Sequence, residues 1–106
     1  MKILFHDKET EKTCTDYKYM NRVLQPNTAA RLRALMTILD SLPHMSDFGL
    51  PALQRYRYHE LSGDKKGIKS LSIDYAYRMT LTIELLGTND RCDVIMILEV
   101  SNHYGD

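Results

Sequence analysis

RYRYHELSGDKKGIKSLSIDYAYRMT, residues 55–80, reads as three short strands joined by two tight turns. Arg55, Arg57 and His59 alternate with Tyr56 and Tyr58. Successive strand side chains point to opposite faces, so one face of such a strand is cationic and the other aromatic. Gly63-Asp64-Lys65-Lys66-Gly67 supplies turn chemistry, because Gly and Asp adopt backbone angles that other residues avoid. Lys69 follows the turn, and Arg78 heads the next strand. Within the stretch Arg55, Arg57, Lys65, Lys66, Lys69 and Arg78 outnumber Glu60, Asp64 and Asp74. The excess suggests a patch for phosphate-bearing ligands, with His59 the one residue there of the type that titrates near neutrality. Charge pattern alone favours the plainer alternative, a solvated strand face.

Working outward, Tyr77 to Leu86 is the clearest strand. Met79, Leu81, Ile83 and Leu85 alternate with Arg78, Thr80, Thr82 and Glu84, so the first set faces a core and the second faces out. Cys92 to Ser101 is apolar at nearly every position, the pattern of a central strand covered on both faces. Short turns between successive strands make neighbours antiparallel. The four strands expected here are about Arg55–Leu61, Ile68–Ile73, Tyr77–Leu86 and Cys92–Ser101.

Upstream, Lys2 to His6 is a short strand candidate, and Asp7 can cap a helix. Lys8 to Leu24 carries a sparse helical stripe through Cys14, Tyr17, Met20 or Asn21, and Leu24, and Pro26 ends it. Asn27 or Thr28 then caps a stronger helix, Ala29 to Leu42, whose Leu32, Leu35, Met36, Leu39 and Leu42 form one buried stripe. Leu50-Pro51 marks an extended approach to the sheet. The fold class expected is α+β: two N-terminal helices packed on one face of a curved antiparallel sheet. Arg55, Arg57, His59 and Arg78 are expected on the opposite face or its rim.

The chain has 106 residues, which fits one domain over 1–106 with a modest core. Fourteen basic residues cancel fourteen acidic ones, whereas a freestanding nucleic-acid binder is normally basic. Contact with RNA must therefore be local or assisted by another partner. Cys14 and Cys92 match no zinc or redox spacing, so reduced structural thiols in a cytoplasmic protein are expected. No His/Cys cluster predicts a metal site, and no cofactor is implied. The run Val94 to Leu98 is too short to span a membrane, and Lys2-Ile3-Leu4-Phe5 does not open a signal peptide. His6 and His44 read as structural or solvated.

The tail Asn102-His103-Tyr104-Gly105 follows the most apolar strand, which can hold it near His59 and Arg78. A solvated terminus is the alternative. Together these groups suit cleavage of RNA by its own 2′-hydroxyl. That reaction needs a base, an acid and a cation for the phosphorane charge. Two histidines can exchange the protons, an arginine can hold two phosphate oxygens, and tyrosines can stack on bases.

These motifs resemble those of HigB-type toxins in the RelE superfamily. Met1-Lys2-Ile3-Leu4-Phe5 looks like that family's first strand. His59-Glu60-Leu61-Ser62-Gly63-Asp64-Lys65-Lys66-Gly67 is similar to its His-x-Leu-x-Gly-x-x-Lys-Gly signature. Tyr77-Arg78-Met79 resembles its Tyr/Trp-Arg-hydrophobic strand start, and Asn102-His103-Tyr104 resembles its closing cluster. The matches run in order along nearly the whole chain. Departures are Ser62 where lysine is common, Lys69 where tryptophan is common, and His103-Tyr104 where Tyr-His is common.

The resemblance implies a RelE-like fold and a ribosome-dependent endoribonuclease that cuts mRNA during translation without metal. It implies a helix-turn-helix antitoxin partner of the HigA type, with operator DNA reached only through that antitoxin. By motif position His59 is an acid/base candidate and Arg78 a transition-state stabiliser. Asn102, His103 and Tyr104 fill the catalytic cluster, and Lys65 and Lys66 hold RNA, with Arg55, Arg57 and Lys69 as further RNA contacts from the basic patch. The alternative from another class is a catalytically weak RelE-like domain that mainly binds an antitoxin or another protein. A small regulatory protein with no RNA role is a third.

Overall fold

A computed structural model describes residues 2–42, 51–65, 67–85 and 93–102. Strand β1 (Lys2–Phe5) leads into helices α1 (Lys8–Thr15), α2 (Tyr17–Val23) and α3 (Pro26–Ser41). After a one-turn helix α4 (Pro51–Gln54) come β2 (His59–Glu60), β3 (Lys69–Ser72), β4 (Tyr77–Leu85) and β5 (Asp93–Asn102). A short 3-10 turn, Gly63–Lys65, lies between β2 and β3.

The expected α+β architecture is present, with five strands in the order β1-β5-β4-β3-β2. From β2 to β5 every pairing is antiparallel, as short connections require. β1 joins β5 in parallel, Ile3 beside Ile95 and Phe5 beside Ile97. The helices between β1 and the rest of the sheet provide the long crossover that a parallel pair needs.

The helix expected over Lys8–Leu24 is two helices, broken at Asp16. Asp16 takes an extended backbone (φ −97°, ψ 100°), and its carboxylate accepts the Tyr19 amide at 3.1 Å. A short polar side chain that can bond its own backbone competes with helix continuation and caps the next helix. Asp7 caps α1 in the same way, accepting the Thr10 amide at 2.7 Å. That contact leads the causes holding its carboxyl below the usual range. The third helix starts at Pro26, earlier than the expected Ala29. Proline suits the first helical position, where no N–H is needed. Thr28 is thereby inside the helix, and its hydroxyl donates to Asp74 instead of capping.

Leu32, Leu35 and Leu39 of α3 are buried as the periodicity requires. With Cys14 and Met20 they pack on Leu71, Ile73, Met79, Leu81, Ile95 and Ile97, all in one cluster. The helices thus cover one sheet face. β5 is an interior strand, but it is sealed only on that face: Met96 and Leu98 are partly exposed on the other.

The strand expected over Arg55–Leu61 shrinks to His59–Glu60. Tyr56 and Arg57 donate backbone bonds to Leu53 and Gln54, which makes a turn after α4. Arg57 itself sits at φ 53°, a left-handed conformation outside the regular strand region. Arg55, Arg57 and His59 therefore do not share a strand face. Tyr56 is buried instead, 5.4 Å from its ring centre to the Arg31 guanidinium.

Candidate active site on the helix-free face

Cross-strand partners share a sheet face, so the register locates the polar side chains. His59 lies opposite Ser70, Ser70 opposite Thr80, and Thr80 opposite Glu99. These four form one transverse row across β2, β3, β4 and β5. The next row holds Ser72, Arg78 and Ser101. Leu71, Met79 and Leu81 point to the helices, so both rows lie on the helix-free face, as expected for His59 and Arg78. A register shift at Thr80/Leu81 leaves Leu98 as an extra residue on β5. Such a bulge re-aims neighbouring side chains. Here Leu98 and Glu99 both look into the same cleft as Thr80.

That cleft encloses about 250 Å³ between His6, Leu61, Lys65, Ile68, Arg78, Thr80, Leu98 and Glu99. Each wall has a distinct origin. His6 follows β1, where its amide donates to the Ile97 carbonyl at 2.9 Å. Lys65 comes from the turn between β2 and β3, which two left-handed glycines shape, Gly63 (φ 74°) and Gly67 (φ 96°). Arg78 stands at the start of β4 with its Nε shut away from solvent. A half-buried guanidinium keeps its charge and presents a fixed fork, which matches phosphate oxygens.

His59 is exposed at the end of its row. Its Nδ1 lies 2.6 Å from the carbonyl oxygen of Arg57. A carbonyl only accepts, so Nδ1 carries the hydrogen and Nε2 is left to exchange a proton. The left-handed Arg57 backbone aims that carbonyl.

Of the residues singled out from sequence, the structure brings Arg78 and Lys65 into the cleft and His59 onto the same face. Asn102 ends β5 opposite Tyr77, exposed. Arg55 and Arg57 are exposed in the turn before β2. Lys69 is not brought together with them. It pairs with Leu81 on the helix side and makes a salt bridge with Glu60. Lys66, His103 and Tyr104 lie outside the described residues. His6, read as structural or solvated, lines the cleft, as do Thr80 and Glu99, which were not singled out. Their strands were legible, but only the register and the bulge gather them.

A second depression, about 310 Å³, lies beside β1 between Ile3, Phe5, Cys14, Tyr17, Met36 and Asp40. It is larger but poor in chemistry. Burial pushes the Cys14 thiol up to about 12, which makes it an inert packing group, as expected for a structural cysteine. Among the described residues no three His, Cys, Asp or Glu side chains gather as metal ligands. No helix among them is long and apolar enough to cross a membrane.

The architecture is the RelE/YoeB-like toxin fold. A YoeB/ParE toxin from Agrobacterium tumefaciens superimposes with a TM-score of 0.62 at 18% identity, over 98% of this chain and 100% of that one. YafQ from E. coli strain BL21(DE3) gives 0.56 at 17% identity, over 95% and 91%. The Staphylococcus aureus YoeB–YefM complex gives 0.54 at 16% identity, over 98% of each chain. No protein-family model and no curated protein matches the sequence.

Proposed function

We propose that this chain is the toxin of a type II toxin–antitoxin pair, a single RelE/HigB-like domain over 1–106 that acts in the cytoplasm. It is a ribosome-dependent endoribonuclease that cleaves mRNA during translation. The observation that carries this reading is the cleft holding Arg78 and Lys65 on the helix-free face of a sheet whose fold is shared with toxins. The RNA supplies its own nucleophile, the 2′-hydroxyl, so the reaction needs neither metal nor cofactor. Arg78 stabilises the phosphorane charge, and Lys65 with Lys66 holds flanking phosphates. His59 and His103 exchange protons, and Tyr104 and Asn102 orient the substrate. Arg55 and Arg57 contact RNA further out.

The partner is a helix-turn-helix antitoxin of the HigA type, through which operator DNA is reached. Solved relatives of this fold include a YoeB–YefM toxin–antitoxin heterotetramer and a DinJ–YafQ complex. The deciding experiment induces the protein in cells and maps mRNA ends on translating ribosomes. Growth arrest with new cleavage sites inside coding regions supports the reading. A folded protein that binds an adjacent helix-turn-helix protein yet never cuts mRNA replaces it with the binding-module alternative.

A further inference from the structure

The register leaves one cleft carboxylate that the reading above does not use. Glu99 is exposed, lines the cleft with Arg78, Lys65 and His6, and sits at the far end of the row that begins at His59. Among the described residues the salt bridge formed is Lys69–Glu60; Glu99 joins neither Arg78 nor Lys65 within bonding distance. A carboxylate needed only to neutralise those cations would be paired with them.

We infer that Glu99, in place of His103, is the general base that takes the 2′-hydroxyl proton, opposite His59 as the general acid. This rests on the endoribonuclease reading. Attack of the 2′-oxygen on phosphorus requires the entering and leaving oxygens to stand roughly in line. Base and acid must therefore approach from opposite sides, with the charge stabiliser between them. The row supplies that order. His59 and Glu99 are three strand spacings apart, about 14 Å between backbones at about 4.8 Å per strand. Arg78 lies in the adjacent row on β4, between them.

The step balances as a transesterification. The 2′-oxygen forms a bond to phosphorus while its proton passes to a Glu99 carboxylate oxygen. The bond from phosphorus to the 5′-oxygen breaks, and His59 Nε2 gives its proton to that oxygen. The products are a 2′,3′-cyclic phosphate and a 5′-hydroxyl. The bulge at Leu98 matters here, because a regular strand would turn one of Leu98 and Glu99 away.

The test measures single-turnover cleavage of mRNA on translating ribosomes against pH, for the parent, Glu99→Gln, Glu99→Asp and His59→Gln. Charged and titratable neighbours are held constant: Arg78 on β4, Lys65 in the turn and His6 after β1 around Glu99, and Arg57, Glu60 and Lys69 around His59. Glu99→Gln is expected to cut about a hundred- to ten-thousandfold more slowly, with the acidic limb of the rate profile abolished. Glu99→Asp keeps that limb and recovers part of the rate, and His59→Gln loses the alkaline limb. Circular dichroism checks that each variant is folded. If Glu99→Gln cuts within threefold of the parent, or is slow with an unchanged acidic limb, Glu99 is not the base while the nuclease reading stands. If the parent itself never cuts, the nuclease reading falls and takes this assignment with it.

Discussion

Arg78 lines a cleft built largely from residues distant in sequence. Its partners in the cleft come from β1, the β2–β3 turn and β5. Arg78→Ala removes a preorganised charge, and ribosomal mRNA cleavage should fall on the order of a hundred- to a thousandfold, with the circular dichroism spectrum unchanged. Lys65→Ala, which removes an exposed cation proposed to hold a flanking phosphate, should do less in the same assay. Asp74 has a different task. Burial alone would raise its pKa, but the Thr28 hydroxyl, the Tyr77 and Ala76 amides at 2.9 Å each and nearby Arg31 hold it below the usual carboxylate range. Folding therefore lowers this pKa. The resulting stability is present above the unfolded value of about 3.9 and is lost as pH falls through the folded one. Urea titrations should show Asp74→Asn to be less stable than the parent at pH 7 by about 1–3 kcal/mol, with the gap closing below about pH 4. Arg78 could be singled out from sequence because its motif is local. Glu99 could not, because its meaning comes from the residues opposite it.

Among the elements, hydrophobic alternation announced β4, and three-to-four spacing announced α3; both formed where expected within a few residues. The breaks were harder to read. Asp16 divides α1 from α2 through one side-chain hydrogen bond, and Arg57 ends the aromatic stretch before β2 through one left-handed backbone angle. Neither choice leaves a periodic trace. Asp16→Ala should fray α2 and cost about 1 kcal/mol in chemical denaturation, the usual cost of a lost N-cap. In the core, Leu35→Ala should cost about 2–5 kcal/mol by the same measurement, since Leu35 is fully enclosed and its neighbours cannot close the space completely.

At the scale of the molecule, the net charge is zero, and the cleft is lined by two of the cations, Lys65 and Arg78. Counterion release scales with the number of phosphates neutralised, so free RNA should be held weakly. Cleavage of naked RNA should be feeble and salt-sensitive, and cleavage of mRNA in a translating ribosome clear; equal rates at equal salt would remove the ribosome from the mechanism. The layer arrangement was legible because antiparallel strands with short connections leave few alternatives. The parallel place of β1 was not, since nothing local records which edge a lone strand will join. That pairing has a consequence for biosynthesis. β1 is the first described element to leave the ribosome, and β5, its partner, is the last. Until β5 emerges, β1 has no strand to join, Thr80 has no Glu99 across from it, and Leu81 lacks Ile97. A nascent chain stalled before Asp93 should be open to protease throughout, whereas one stalled well beyond Asn102 should resist it.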